Sequence, residues 1–159
     1  ENRARIIGLG AVRYADLSQD RTLDYVFSWD KLLALQGNTA PYLQYAVARI
    51  RSIFRKLETE PGSGEENASA PVTDSENVLA RKLIYFPSVL EQTICELKPH
   101  HLCGYLYELA TDFSSFYNAD KVLVDETDVR ARRSLLCSRT LLILETGLEL
   151  LGIETLAKM

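Results

Sequence analysis

Apart from one break, from residue 39 onward large apolar residues return every three or four positions, with no sustained alternation of apolar and polar residues. That spacing gathers them on one side of a helix and gives no strand a face to bury, so it predicts packed helices and excludes a sheet as the organising layer. The clearest case is Thr39 to Lys56, where Leu43, Val47, Ile50, Phe54 and then Leu57 form a single stripe. Asn38 or Thr39 can cap this helix, and Pro41 falls in its first turn, where a missing N–H costs nothing. Its arginines lie largely off the stripe.

Residues 58–76 interrupt the pattern. Pro61, Gly62, Ser63, Gly64, Asn67, Ser69 and Pro71 crowd together with few large apolar neighbours, which reads as a flexible, solvated loop with no role of its own. The same stretch holds Glu58, Glu60, Glu65, Glu66, Asp74 and Glu76 and no lysine or arginine. The whole chain carries −4, so the remainder is net positive. Two basic clusters stand out: Arg49, Arg51, Arg55 and Lys56, then Arg130, Arg132, Arg133 and Arg139. An acidic loop lying over either would mask a basic face.

Beyond the break, Thr73 and Glu76 make a capping-box pattern ahead of Val78, Leu79 and Leu83. Pro87 opens a second helix through Leu97, and Pro99 a third over about 100–118, with Leu102, Leu106, Leu109, Phe113 and Phe116 or Tyr117 as its core face. A last helix runs from Thr127 to Leu151, with Gly152 past its cap. Ahead of the long stripe, residues 3–14 predict a helix, Asp24 to Phe27 is a short β-prone run, and Trp29 is expected in the core of an N-terminal appendage. The expectation is an all-α bundle, residues 39–159, carrying residues 1–38 as that appendage.

The 159 residues suffice for one core. No apolar run approaches the ~20 residues needed to span a bilayer, and no charged-then-apolar leader opens the chain. Glu1 in place of Met is compatible with a piece of a longer protein. Cys95, Cys103 and Cys137 are odd in number and form no C-x-x-C pair, so they predict no disulfide framework, a reducing compartment, and thiols used as small buried hydrophobes. His100, His101 and Cys103 supply only part of a metal-ligand set, and no second cluster completes it, so no metal is expected. Ser114, Ser115 and the scattered carboxylates form no triad or acid/base pair.

Tyr42, Tyr45 and Arg49 sit at helical spacing on one face. Two rings with a guanidinium a turn on make a platform for unstacked RNA bases, with cations for phosphate. Aromatic residues at this spacing are more often core, and from spacing alone both readings stand. So does a helical protein-interaction module that uses its apolar faces alone.

The stretch Gly37-Asn38-Thr39-Ala40-Pro41-Tyr42-Leu43-Gln44-Tyr45-Ala46-Val47-Ala48-Arg49-Ile50 closely resembles the segment that opens the anticodon-binding domain of arginyl-tRNA synthetases. Three further stretches agree in order. Gly10 to Leu17 resembles the end of that family's catalytic region. Tyr105 to Ala110 with Phe113 to Tyr117 resembles its central anticodon-domain helix, and Gly147 to Ile153 with Met159 its C-terminal end. The resemblance covers nearly the whole chain outside 58–76.

The resemblance implies a helical bundle of the class Ia synthetase anticodon-binding type at 39–159, preceded at 1–38 by the C-terminal end of the catalytic region. It implies a parent enzyme that ligates arginine to its tRNA using ATP with magnesium. Neither a His-Ile-Gly-His-like nor a Lys-Met-Ser-Lys-like motif is found, so no catalytic residue and no cofactor is expected within this stretch. The implied partner is tRNA for arginine, with no DNA and no membrane, in a monomer of the cytoplasm or of a eukaryotic organelle. The implied anticodon site is Tyr42, Tyr45, Arg49, Tyr117 and Met159, with Arg51, Arg55 and Lys56 as phosphate contacts. Where the family usually ends in Pro-Glu-Arg-Met, this chain has Leu156-Ala157-Lys158-Met159. The positive charge stays and the stiff proline is lost. The helical anticodon domain of another class I synthetase, the cysteine or methionine enzyme, is the near alternative, and the Gly37–Ile50 segment argues against it.

Overall fold

A computed structural model of the chain describes residues 2–24, 28–63 and 68–159. Among the described residues the elements are helices only: α1 (Asn2–Leu17), α2 (Trp29–Leu32), α3 (Ala40–Leu57), α4 (Asp74–Ile84), α5 (Phe86–Glu96), α6 (His100–Ala119) and α7 (Thr127–Leu150). None of these is long and apolar enough to cross a membrane. Of the β-prone run, residues 25–27 lie outside the described residues.

Helix α3 starts where its capping chemistry places it. The Thr39 side chain accepts from Tyr42 N–H at 3.3 Å and donates to Ala34 O at 2.7 Å. Leu43, Val47, Ile50 and Phe54 are buried as the stripe requires, and Leu57 packs partly buried at the core edge. Helix α6 is the centre of the bundle, touching α1, α3, α4, α5 and α7. Its Leu106, Leu109, Phe113 and Phe116 are fully buried. Helices α6 and α7 approach closely because Gly147 has no side chain: a Cβ there would fall 2.5 Å from Leu106 Cδ2. Helix α5 buries no residue completely and lies over α6 through a Phe86–Tyr105 ring stack. Helix α1 packs on α3, and buried Tyr14 sets its hydroxyl between Cys103 O at 2.8 Å and Asn38 Oδ1 at 2.6 Å.

The structure corrects the reading of charge around the break. Glu76 is not a loop carboxylate but sits in the first turn of α4, fully buried, within the expected capping box. It accepts from Arg132 Nε at 2.9 Å, Arg133 Nε at 2.8 Å and the backbone N–H of Val72 at 2.8 Å. Asp120, just past α6, accepts from Arg133 Nη2 at 2.7 Å, from Thr73 Oγ1 at 2.8 Å and from Ser75 Oγ. Burial pulls the Glu76 carboxyl upward, but the two guanidinium groups and the backbone donors outweigh it and hold it down to about 2. Arg132 and Arg133 are therefore committed inside the bundle and form no exposed basic face.

Two smaller expectations fail for one reason, that short or peripheral helices bury little. Trp29 is 62% exposed because α2 is a single turn that buries only Leu32. Cys95 is exposed on α5, whereas Cys103 and Cys137 are buried in the core, where burial pushes their thiols up to about 12.

Candidate functional site

Helices α3 and α6 lie side by side, and their contacts advance together along both. Near the start of α3, the Tyr42 ring meets Tyr107 edge-on with centroids 5.7 Å apart, and its hydroxyl lies 3.5 Å from Ser114 Oγ. Two turns further on, Arg49 Cζ stands 4.3 Å over the centre of the Tyr117 ring, and Arg49 Nη2 lies 3.5 Å from Asn118 Oδ1. A cation on the face of an electron-rich ring is held there electrostatically, so this contact fixes both side chains.

On the open side of α3, Tyr45, Ala48, Arg49, Ser52 and Arg55 form one helical row, and the C-terminal tail brings Lys158 and Met159 alongside it. Between them is a groove of ≈ 340 Å³. Ala48 and Ser52 give it a low floor. Tyr45 and Met159, both exposed, supply apolar surface at its walls. Arg49, Arg55 and Lys158 supply positive charge, and among the described residues no acidic side chain lines it. Unstacked bases need flat or soft apolar surface, and the phosphates between them need cations; this groove offers both within one turn or two of helix.

The structure thus brings together Tyr45, Arg49 and Met159, with Arg55 beside them, and joins Tyr117 to the group through Arg49. Tyr42 stands one turn away, half-buried against α6, and does not line the groove. Two of the phosphate candidates face elsewhere. Arg51 is paired with Glu145 of α7, its Nε and Nη2 each 2.6 Å from Oε1. Lys56 lines a separate depression with Leu123, Val124 and Arg130. Ser52, Ser114 and Asn118 were not legible as site residues. Ser52 alone had a signal, since it lies on the same helical row seven residues after Tyr45.

His101 Nε2 lies 2.8 Å from Glu96 Oε2, and Cys103 is buried. No group of three or more potential metal ligands occurs among the described residues.

Solved structures of arginyl-tRNA synthetases share this fold. The Plasmodium falciparum enzyme superposes with a TM-score of 0.87 at 33% identity, over 99% of this chain and 28% of that one. The Thermus thermophilus enzyme does so with a TM-score of 0.87 at 32% identity, over 98% of this chain and 27% of that one. The fold is therefore an all-α bundle of the arginyl-tRNA synthetase helical type. The chain belongs to the DALR anticodon binding domain family, whose family model matches residues 43–159. It is 51% identical over 158 residues to the arginine–tRNA ligase of Pseudoalteromonas translucida, covering 98% of this chain and 27% of that protein. It is 48% identical to that of Escherichia fergusonii, covering 100% of this chain and 28% of that protein. The chain thus spans about a quarter of the length of the curated relatives it matches.

Proposed function

We propose that this chain binds the anticodon arm of tRNA for arginine, as one part of a longer enzyme that ligates arginine to that tRNA using ATP with magnesium. The observation that carries the reading is the groove in which Tyr45 and Met159 offer apolar surface beside the cations Arg49, Arg55 and Lys158. Membership of a family described as anticodon binding supports the same conclusion. Residues 39–159 form the RNA-binding unit, and residues 1–38 are the end of the catalytic region, docked on it through α1. The protein acts as a monomer in the cytoplasm.

Tyr45 stacks on an unpaired base, Met159 covers a second apolar face, and the cations hold the intervening phosphates. Tyr117, pinned under Arg49, and Tyr42, packed on α6, form the ridge against which the anticodon loop opens. The test is a titration of this chain with tRNA for arginine and with the same tRNA carrying another anticodon. Tighter binding of the first is the expected result, and equal binding at matched salt contradicts the proposal. Salt must be matched because the phosphate component alone varies steeply with it.

A further inference from the structure

The tail after α7 has no regular structure, yet two other helices fix its path. Leu151 and Ile153 are buried apolar anchors. Beyond α7, three side chains reach the tail's main-chain carbonyls. Arg13 of α1 donates to Gly152 O. Gln44 Nε2 of α3 donates to Glu154 O at 2.8 Å, and Arg55 Nη1 donates to Ala157 O at 3.0 Å. Each contact lies nearer to Met159 than the last.

Gln44 is the telling member. It is fully buried next to the core stripe of α3, and its Oε1 has no hydrogen-bond partner among the described residues. An unpaired buried acceptor is a cost that an apolar residue of the same size would avoid. What glutamine supplies there, and leucine would not, is the N–H that holds Glu154. Helix α1 leaves room for it: a Cβ on Gly10 would fall 3.0 Å from Gln44 Nε2 and 3.2 Å from Ile153 Cγ2.

We propose that Gln44, seconded by Arg13 and Arg55, is the latch that sets the path of the C-terminal tail and so holds Met159 at the groove. Gln44 is a positioning residue that acts through the tail. The latch rests on the reading that Met159 helps to form the RNA groove.

The chain contains one methionine, so a ¹³C-labelled methionine methyl gives a single NMR signal that reports the tail without assignment. In Gln44→Leu and in Arg55→Ala the signal should sharpen and move toward that of a freely tumbling methionine. Gln44→Leu should melt no lower than the parent, because it removes the unpartnered oxygen. Should Gln44→Leu fail to fold, the exposed Arg55→Ala carries the measurement. A methyl signal unchanged in the folded variants overturns the latch. Its RNA consequence is read separately. Gln44→Leu should weaken tRNA binding by about tenfold or less, and should have no further effect in a variant lacking Met159. An undiminished effect without Met159 also overturns the latch. If the parent's methyl signal ignores added tRNA while the variants still shift it, the latch stands and the RNA reading of the groove falls.

Discussion

One turn of α3 separates Tyr42 from Tyr45, and their surroundings divide the work that their spacing suggested they share. Tyr42 packs against Tyr107 and reaches Ser114, so its ring is partly structural. Tyr45 keeps an exposed ring at the groove. The sequence made the shared face legible, but not the turn of Tyr42 toward α6, which depends on residues more than sixty positions downstream. Glycines show the same dependence on partners that the chain brings from afar. Gly147 and Gly104 both lie within helices, where alanine is intrinsically preferred by up to about 1 kcal/mol. At Gly104 a Cβ would meet nothing within 4 Å, whereas at Gly147 it would strike Leu106, which is fully buried and has nowhere to turn. Gly104→Ala should therefore raise the melting temperature. Gly147→Ala should destabilise the chain by about 1–3 kcal/mol, the usual scale of overpacking. Denaturation followed by circular dichroism checks both, and equal effects of the two substitutions would contradict the close approach of α6 and α7.

At the scale of elements, helix α4 is held less by its apolar residues than by its first turn. Leu79 is its one fully buried apolar side chain, and Glu76 ties it to α7 through Arg132 and Arg133. The capping box itself was legible, because Thr73 and Glu76 are three residues apart. The burial of Glu76 was not, because its partners lie 56 and 57 residues further on and its near neighbours are the acidic loop. Breaking a buried pair costs about 3–5 kcal/mol, so Glu76→Gln should lower the urea midpoint sharply. The pH dependence has a definite sign. The folded carboxyl lies at about 2, below its ordinary 4.5, so its contribution is complete above about 4.5 and is lost as pH falls from there toward 2. The parent should lose more stability than Glu76→Gln across that window, and parallel curves would contradict this. The same network anchors the C-terminal end of the loop: Ser69 Oγ accepts from Arg132 Nη1 at 2.8 Å, and Val72 N–H donates to Glu76. Deleting 60–68 should leave the melting temperature nearly unchanged, whereas deleting 60–72 should lower it.

At the scale of the whole molecule, the N-terminal segment packs on the bundle through α1. Tyr14 binds α1 to the start of α6, Arg13 binds it to Gly152, and Lys98 closes on Asp20 at 2.9 Å. Both ends of the chain thus meet at α3, which carries the groove. That convergence was expected from family resemblance for Met159, but no spacing argument reaches it, since it is made by contacts more than a hundred residues apart. The all-α class, in contrast, was legible because helical periodicity is local and repeats along the chain. The chain as a whole is acidic at −4, while the groove is lined by three cations and, among the described residues, no acidic side chain, so net charge misjudges the groove proposed for RNA. The central claim is that the exposed Tyr45 ring on α3 receives an unstacked base of the anticodon loop. It is tested most directly by titrating tRNA for arginine, at one fixed salt concentration, into the parent chain and into a folded Tyr45→Ala variant. Each stacked ring is worth about 1–3 kcal/mol, so the account predicts a loss of roughly tenfold or more in affinity, larger for this tRNA than for a non-cognate one. Equal affinity of variant and parent would contradict it.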